Sequence, residues 1–476
     1  MKKAAFHNLG CKVNAYETEY MQQKFQEKGF EIVPFAQKAD VYVINTCTVT
    51  NIADRKSRQM LHRAKALNPD AIVVATGCYV QTDTVKAIGD EGIDLIVGNN
   101  HKSRIVEIVM RYIEERGSEA APAKSISEGI MDAVSCTVKT LYGESIEKSE
   151  DMREYDEFRL SKTEDHSRVY LKIQDGCNQF CSYCAIPLAR GRVRSRKEED
   201  ALREIEGLAQ NGYKEIVLTG IHLSSYGLDR TEGFKTGAAD YNDVAGGGDL
   251  TNHELISIIE KTAKTEGISR VRLGSIEPRI ITEEFLERLA MIDEFCPHFH
   301  LSLQSGCDSV LRRMNRHYTT EGFLRKTELI REYFPNAALT GDVIVGFPGE
   351  SREEFEITRD FLNRVDFYEV HVFKYSRRKN TAADRMDGQL TEKIKSERSG
   401  VLIKDSAKRS MAFKERFIGR KVNVLFEERE TIGGCEYWTG YTKEYVRAAI
   451  RSDKDLGNTV RSAYPRELTG DGILVI

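Results

Sequence analysis

Residues 175–196, DGCNQFCSYCAIPLARGRVRSR, directly follow an apolar run that is typical of a β-strand. Within them, Cys177, Cys181 and Cys184 form a Cys-x3-Cys-x2-Cys loop. Three thiolates at this spacing can each bind one iron of a [4Fe–4S] cube, whereas a ferredoxin run adds a fourth cysteine. Here the sequence continues Ala-Ile-Pro instead. The spacing therefore predicts a cluster with one iron open to an external chelating ligand.

Structural zinc is the main alternative for this loop. A structural zinc site normally takes four closed protein ligands. No fourth cysteine or suitably spaced histidine lies near the loop in the sequence. We therefore favour the iron–sulfur interpretation.

Composition narrows the class of protein. With 476 residues, the chain should form two to four domains. Lys and Arg (70) nearly balance Asp and Glu (74), so a nucleic acid would have to bind local basic patches. The N-terminus lacks the apolar segment of a signal peptide, and no apolar run approaches the ~18 residues of a membrane span. We expect a soluble, cytoplasmic protein without membrane contact, whose ten cysteines are reduced.

The expected fold is α/β, in three parts. Residues 1–115 alternate strands and helices, which predicts a doubly wound parallel sheet. Residues 116–165 are charged and non-periodic and are interpreted as a linker. Residues 166–400 contain six further strand candidates, enough for an open, partial (β/α)6 barrel, and residues 227–250 look like a loop insertion within it. Residues 412–476 lose the helical period and predict a small β-barrel.

Three cysteines of the N-terminal part share one context. Cys11, Cys47 and Cys78 each follow an apolar strand by a few small or polar residues. The carboxyl ends of strands in an open α/β sheet share one rim, so the three thiols could converge. A single such cysteine is most often a small buried hydrophobe, but three in one context favour a second three-cysteine cluster. The cysteines without this context are interpreted as incidental: Cys136, Cys296, Cys435 and Cys307, which lies at a barrel strand end.

The chain resembles the radical S-adenosylmethionine superfamily and, over nearly its whole length, the methylthiotransferase family within it. The matching strings include NLGCKVNAYET, GCNQFCSYCAIPLARGRVRSR, LTGIHLSSYG, HLSLQSGCDSVLRRMNRHYT and HVFKYSRRKNTAA. LGCKVN and IHLSSYG are similar to the MtaB-type tRNA branch, whereas the isopentenyladenosine enzymes typically read YGCQMN. The C-terminal barrel resembles a TRAM domain in place and size.

This resemblance implies a reaction, in which N6-threonylcarbamoyladenosine next to a tRNA anticodon becomes its 2-methylthio derivative. A [4Fe–4S] cluster on the Cys-x3-Cys-x2-Cys loop would bind S-adenosylmethionine and yield the radical that abstracts hydrogen from adenine C2. A second [4Fe–4S] cluster, on the three N-terminal cysteines, would carry the sulfur, and a second S-adenosylmethionine would methylate it. The implied partners are a tRNA anticodon loop and a small electron-transfer protein of the flavodoxin or ferredoxin type.

Polar groups at the predicted barrel strand ends are candidate cofactor or substrate contacts, since such positions face the active site of a βα barrel. Capping of the next helix is the competing role. These groups are Thr219, Glu277, Gln304, Asp342 and Tyr375. By resemblance, Gly220 and Tyr183, the aromatic residue before the last loop cysteine, are further cofactor-binding candidates.

Four arginines alternate directly after the cysteine loop, namely Arg190, Arg192, Arg194 and Arg196. Alternation would place them on one side of an extended segment. We favour contact with RNA phosphates, or support of a cofactor carboxylate, over a solvated charged face.

Other functions stay open. The substrate could instead be isopentenyladenosine in tRNA or a ribosomal protein, or the chain could be a non-catalytic iron–sulfur RNA-binding protein. A cobalamin-dependent radical methylase is disfavoured, because the N-terminal part lacks an Asp-x-His-x-x-Gly sequence. From residue 412 onward, eleven Lys and Arg face ten Asp and Glu, so RNA binding there follows only from the resemblance.

Overall fold

The computed structural model describes residues 1–117, 149, 152–162, 167–230 and 249–476. Cys136 and most of the predicted linker and loop insertion lie outside these residues. The described chain forms an N-terminal α/β domain, a partial βα barrel and a C-terminal sheet, which confirms the predicted fold class. Among the described residues, no helix is both long and apolar enough to cross a membrane.

The N-terminal domain is a parallel sheet with helices on both faces, as the alternation of strands and helices predicted. Its strands are β1 (Lys3–Asn8), β2 (Glu31–Val33), β3 (Val41–Thr46), β4 (Ile72–Gly77) and β5 (Leu95–Val97). Its helices are α1 (Lys12–Glu27), α2 (Asn51–Leu67), α3 (Cys78–Thr82), α4 (Thr84–Ile88) and α5 (Ile105–Gly117). The strand order is β2-β1-β3-β4-β5. Alternate residues of each strand enter the two cores, so β3 contributes Val41 and Val43 to one core and Tyr42 and Ile44 to the other.

The barrel contains the six predicted long strands and two short additional ones. Its strands are β6 (Arg168–Asp175), β7 (Arg194–Ser195), β8 (Glu215–Gly220), β9 (Arg270–Leu273), β10 (Ser275–Ile276), β11 (His298–Gln304), β12 (Ala338–Val345) and β13 (Glu369–Lys374). Its helices are α6 (Ile186–Arg190), α7 (Glu198–Gln210), α8 (His253–Ala263), α9 (Glu283–Ala290), α10 (Asp308–Arg313), α11 (Thr320–Tyr333) and α12 (Arg352–Val365). The long strands run parallel, in the orders β6-β8-β9 and β10-β11-β12-β13, and no pairing among the described strands joins β13 to β6.

The N-terminal domain spans this opening. On one side, α1 packs along β6. On the other, Arg378, just beyond β13, donates hydrogen bonds to the hydroxyl of Thr48 (2.6 Å) and to the carboxylate of Asp54 (2.7 Å). The open side of the barrel is therefore covered by the domain that carries the three N-terminal cysteines.

Residues 152–162, predicted as part of the linker, pack between the two domains. Phe158 and Leu160 are buried. The Phe158 carbonyl accepts hydrogen bonds from the hydroxyl of Tyr16 (3.2 Å) and from the guanidinium of Arg196 (2.6 Å). This segment is an interdomain brace rather than a free linker, because its apolar side chains enter a shared core.

The C-terminal sheet covers the amino ends of the barrel strands. It follows the helix α13 (Glu392–Glu415) and contains β14 (Val422–Ile432), β15 (Cys435–Thr442), β16 (Arg447–Ile450), β17 (Thr459–Ala463), β18 (Glu467–Leu468) and β19 (Leu474–Val475), in the order β17-β14-β15-β16-β19-β18. From β9, the Arg270 guanidinium donates to the carbonyl of Tyr441 (2.8 Å), and that of Arg272 donates to the carbonyl of Lys443 (2.9 Å). The C-terminal sheet therefore closes the barrel at the amino ends of its strands, which we call its floor, and the N-terminal domain closes its open side.

Candidate active site

The Cys-x3-Cys-x2-Cys loop follows β6 at the carboxyl end of the barrel. Each of its sulfurs accepts one N–H hydrogen bond. The backbone N–H of Gln179 donates to Cys177 Sγ (3.4 Å), and that of Ile186 donates to Cys184 Sγ (3.5 Å). The third donor is the guanidinium of Arg316, 3.2 Å from Cys181 Sγ. Each of these hydrogen bonds would stabilise the negative charge of a metal-bound thiolate.

The electrostatics of the loop fit a bound cation. Burial raises the pKa of Cys184 to about 12, and the neighbouring Cys181 thiol adds to the shift. Burial likewise raises the pKa of Cys177, again with help from Cys181. Three bare thiolates are therefore unfavourable here, and a polynuclear metal centre would supply the missing positive charge. The donor set and its hydrogen bonds fit a three-cysteine cluster.

The three N-terminal cysteines lie at one rim of the parallel sheet. Cys11 follows β1, Cys47 follows β3 and Cys78 begins α3 directly after β4. The backbone of Gly10 runs so close to Cys47 that a Cβ added there would lie 3.2 Å from its sulfur. Burial raises the pKa of Cys47 to about 12, with further contributions from the thiols of Cys78 and Cys11. The structure thus brings together three thiols that are distant in sequence.

The two cysteine sets face each other. Cys78 is close enough to Cys184 to contribute to raising the pKa of its thiol. The helix that Cys78 begins packs against α6, which follows Cys184. The amide of Asn99 adds a hydrogen bond to the carbonyl of Ala189 in α6 (2.8 Å). A group bound at one set would therefore lie beside a group bound at the other.

A buried ion network joins the N-terminal domain to the barrel and so fixes the relative position of the two sets. Glu17 of α1 accepts hydrogen bonds from Lys102 (2.5 Å), Lys172 (2.9 Å) and Arg190 (2.9 Å). Arg190 also donates to Asp175, two residues before the cysteine loop, at 3.1 Å. Burial alone would raise the pKa of Glu17, but the charges of Arg190, Lys102 and Lys172 hold it well below its ordinary value. This network joins α1 to both ends of the cysteine loop.

The four arginines after the cysteine loop do not form the single RNA-binding face that the sequence predicted, because three of them are buried. Arg190 is fully buried in the ion network, and Arg194 is buried with its guanidinium donating to the Arg190 carbonyl (2.8 Å). Arg196 is buried against Glu157 (3.0 Å). Alternation fails because α6 ends at Arg190 and the chain turns there, so these three cannot contact RNA phosphates. Arg192 is half-buried, with its guanidinium 4.3 Å from the ring centroid of Phe180.

Glu17→Gln is expected to destabilise the folded protein by about 3 kcal/mol, because it leaves buried cations short of a counter-charge. The folded-state pKa of Glu17 is depressed, so its stabilisation is present above about pH 4.3 and is lost as the pH falls through the lower folded value. Guanidinium unfolding at neutral pH measures the difference. Glu31→Gln, at an exposed position of β2, is the matched control. Equal unfolding midpoints for the two variants would contradict the role of the network.

Most predicted strand-end residues lie at the carboxyl end of the barrel, which we call its mouth. Thr219 is buried at the end of β8, and a Cβ on the adjacent Gly220 would lie 2.8 Å from the Gln174 side chain, so glycine is required there. Glu277 is buried, and one of its oxygens accepts from Arg279 (2.6 Å), while Oε2 has no hydrogen-bond partner in the described chain. Gln304 ends β11 with a left-handed φ of 69°. An unsatisfied carboxylate oxygen and a strained backbone at one mouth are typical of a ligand site.

Tyr183 and Tyr375 both pack on Phe347. Their ring centroids lie 6.5 Å and 5.5 Å from that of Phe347, in edge-to-face arrangements. Tyr375 is buried, whereas Tyr183 is half-buried. Both rings therefore pack in one apolar cluster at the carboxyl end of the barrel.

Asp342, predicted as a strand-end contact, lies within β12 rather than at its end. It belongs to a polar group inside the barrel whose other members were not predicted from the sequence. Its carboxylate lies 3.1 Å from His300 Nε2 and 3.5 Å from His371 Nδ1. Buried His298 and Lys12 of α1 lie nearby, and burial, together with the charges of Arg272 and Lys12, lowers the pKa of His298 well below its ordinary value. We call Lys12, His298, His300, Asp342 and His371 the lumen cluster. The period-2 histidines of HFHLS were the available signal, because alternate residues of a barrel strand face the interior.

Comparison with known proteins agrees with this architecture. Residues 3–98 match the Uncharacterized protein family UPF0004, and residues 171–362 match the Radical SAM superfamily. A solved radical S-adenosylmethionine methyltransferase, TsrM from Kitasatospora setae, superposes with a TM-score of 0.53 at 16% identity, over 80% of this chain and 77% of that one, and supports the fold alone. Fold and cysteine loop together define a radical S-adenosylmethionine enzyme.

Sequence relatives narrow the class. The chain is 40% identical to Threonylcarbamoyladenosine tRNA methylthiotransferase MtaB of Bacillus subtilis over 96% of this chain and 92% of that protein. Identity to the Aquifex aeolicus protein of the same name is 37%, over 96% and 99%. A tRNA-2-methylthio-N(6)-dimethylallyladenosine synthase of Thermoanaerobacter sp. is 31% identical, over 88% and 80%. The chain belongs to the radical S-adenosylmethionine methylthiotransferase family, and is an enzyme that transfers sulfur-containing groups with S-adenosylmethionine and iron–sulfur chemistry.

Proposed function

We propose that this enzyme converts N6-threonylcarbamoyladenosine, next to the anticodon of tRNA, to its 2-methylthio derivative. Cys177, Cys181 and Cys184 would hold the [4Fe–4S] cluster that binds S-adenosylmethionine. The cysteines of the N-terminal rim would hold a second [4Fe–4S] cluster that carries the sulfur. The names of the relatives that are 40% and 37% identical support this substrate.

The adjacency of the two cysteine sets carries the proposal. Sulfur held at one set must reach a carbon that is activated at the other, and the helix that Cys78 begins packs against the helix that follows Cys184. When bound, the cluster and S-adenosylmethionine supply radical chemistry, which an unactivated aromatic C–H bond requires. A binding protein that merely holds clusters has no need of two open sites facing one another. The arrangement therefore favours catalysis over the non-catalytic alternative.

The remaining residues of the site bind, orient and exclude water. The Arg316 guanidinium donates a hydrogen bond to Cys181 Sγ at the carboxyl end of the barrel and so orients this sulfur. Glu277, with a free carboxylate oxygen, is the candidate acceptor for the amino group of S-adenosylmethionine. Gln304 and Gly220 would line the same mouth. The N-terminal domain and the C-terminal sheet close the side and floor of the barrel, which keeps a reactive radical away from solvent.

The polar lining of the barrel favours the threonylcarbamoyl substrate over isopentenyladenosine. The lumen cluster contributes an ammonium, three imidazoles and a carboxylate. An apolar isopentenyl group placed against them would desolvate charges without replacing their hydrogen bonds, which is unfavourable. A threonylcarbamoyl group offers a carboxylate, a hydroxyl and N–H groups to the same side chains.

The proposed substrate implies the tRNA anticodon loop as one partner. Because radical formation needs an electron, a small flavodoxin- or ferredoxin-type protein is the second proposed partner.

Expression in bacteria that make N6-threonylcarbamoyladenosine but not its 2-methylthio derivative tests the proposal. We expect the 2-methylthio nucleoside to appear in digested tRNA, as measured by mass spectrometry, with a matching fall in its precursor. The matched control is the same strain with the empty vector. Appearance of 2-methylthio-isopentenyladenosine instead, or of methylthiolated ribosomal protein without modified tRNA, would contradict the proposed substrate.

A further inference from the structure

The lumen cluster contains a cation that the chain itself does not neutralise. Lys12 is half-buried and has its ammonium 5.8 Å from the ring centroid of Tyr170 in the barrel wall. Within the described residues it forms no ion pair and no hydrogen bond through its side chain. It is the first residue of α1 and directly follows Cys11. Its backbone therefore lies at the rim of the N-terminal cysteines, while its side chain extends to the barrel wall.

The other cations of the lumen wall are committed to the fold. Arg168 pairs with Glu427 of the C-terminal sheet at 2.8 Å, and Arg272 pairs with Glu215 at 2.8 Å. The Arg270 guanidinium donates a hydrogen bond to the Tyr441 carbonyl. These side chains hold the floor of the barrel in place. Lys12 alone, among the described cations of this wall, has neither an ion pair nor a side-chain hydrogen bond. Burial and the charges of Arg272 and Arg168 lower its pKa to about 8, and a bound carboxylate would raise it again.

The carboxylate of the lumen cluster is also engaged. Both oxygens of Asp342 lie against imidazoles, His300 on one side and His371 on the other, and the two rings lie 5.2 Å apart. The side chain of His371 is 48% exposed, so a ligand can reach it. Lys12 therefore faces a polar, accessible wall whose own negative charge is already hydrogen-bonded.

We propose that Lys12 binds the carboxylate of the threonylcarbamoyl group, and so selects an N6 substituent that carries an acid over an uncharged one. The assignment rests on the proposed function and names its specificity determinant. An isopentenyl group has no carboxylate to offer. In the enclosed barrel an ammonium–carboxylate hydrogen bond is stronger than in water. The side chain lies next to Cys11, so the same contact would bring the substrate adenine toward the sulfur-carrying set.

Binding of two synthetic anticodon stem-loops to the full-length, cluster-loaded enzyme tests this assignment. They differ only at the threonyl group, which is a carboxylate in one and a carboxamide in the other. Fluorescence anisotropy gives Kd, and mass spectrometry gives kcat/KM. The wild-type enzyme should bind the carboxylate form about tenfold more tightly, the scale of one charged hydrogen bond.

Lys12→Met should remove this preference by weakening the carboxylate complex to the level of the carboxamide complex, whose Kd should stay unchanged. Lys12→Arg should restore most of the preference, and iron content verifies that Cys11 still holds its metal in both variants. Lys38→Met, at an exposed position between β2 and β3, is the matched control and should keep the wild-type preference. This cycle isolates the contact from any general effect on folding or cluster loading.

Two results would overturn the assignment. One is a wild-type enzyme that methylthiolates N6-threonylcarbamoyladenosine but binds both stem-loops equally. The other is a preference that survives in Lys12→Met. If that preference then disappears in His371→Phe, together with a bound non-iron divalent metal, the carboxylate is bound by a metal on His300, Asp342 and His371, whose ligand atoms lie within 4.8 Å of one another. Failure of the proposed function is distinct, since neither stem-loop would then yield product at any concentration.

Discussion

Replacing Cys47 with alanine is expected to abolish methylthiolation while S-adenosylmethionine is still cleaved. Cys47 lies with Cys11 and Cys78 at the rim of the N-terminal sheet, outside the loop of Cys177. Loss of one of three ligands should release the sulfur-carrying cluster, and product formation should fall on the order of 10³-fold or more, the scale reached when an essential group is removed. Chromatography of 5′-deoxyadenosine and mass spectrometry of tRNA nucleosides measure the two activities separately.

The matched control for this variant is Cys435→Ala. Cys435 begins β15 of the C-terminal sheet, far from either cysteine set in the fold, and is half-buried. It should leave both activities at the wild-type level. Persistent methylthiolation in Cys47→Ala would show that the N-terminal trio is not a cluster site. Loss of cofactor cleavage as well would show that the two sites do not act separately.

Cys181→Ala is expected to abolish both activities. Cys181 is the buried member of the barrel loop and the one that accepts a hydrogen bond from Arg316. Without it, the loop keeps two thiols and cannot hold a three-ligand cluster, so S-adenosylmethionine has no open iron to bind. 5′-Deoxyadenosine and methylthiolated tRNA should both fall below detection, a loss of at least about 10³-fold.

Cys307→Ala provides the control within the same barrel. Cys307 is also buried, at the N-terminus of α10 just beyond β11, but its sulfur lies beside Ser309 (3.2 Å) rather than in the loop. It should retain both activities. Cofactor cleavage by Cys181→Ala at the rate of the Cys307→Ala enzyme would exclude the loop as the radical-forming site.

Local patterns were sufficient to predict the architecture and the two cysteine sets. Short apolar runs mark most of the strands and period-3.6 hydrophobicity marks the longer helices. A thiol after a parallel strand must lie at the carboxyl rim of the sheet, whatever the intervening helices do. Cys47 and Cys78 could therefore be placed together from sequence alone. The short β2 was missed, because three residues of one strand carry no period.

The arginine run shows where local patterns fail. Alternation in GRVRSR is compatible with an exposed strand, but α6 and the turn at Gly191 (φ 68°) precede it, and Arg190 points into the protein. Its partner Glu17 lies 173 residues earlier in the chain. A buried ion pair of this sequence separation leaves no local signal. The lumen cluster likewise combines α1 with β11, β12 and β13, so the alternating histidines of β11 gave a local signal for only part of it.

Iron and sulfide content per chain, measured on anaerobically reconstituted enzyme, tests most directly whether two three-cysteine sites each hold a cluster. The wild-type enzyme should contain about eight iron and eight sulfide per chain, and a variant with Cys11, Cys47 and Cys78 all replaced by alanine should contain about four of each. Mössbauer spectra of both should show [4Fe–4S] clusters only. A wild-type enzyme with about four iron atoms, unchanged by the triple replacement, would contradict the second cluster.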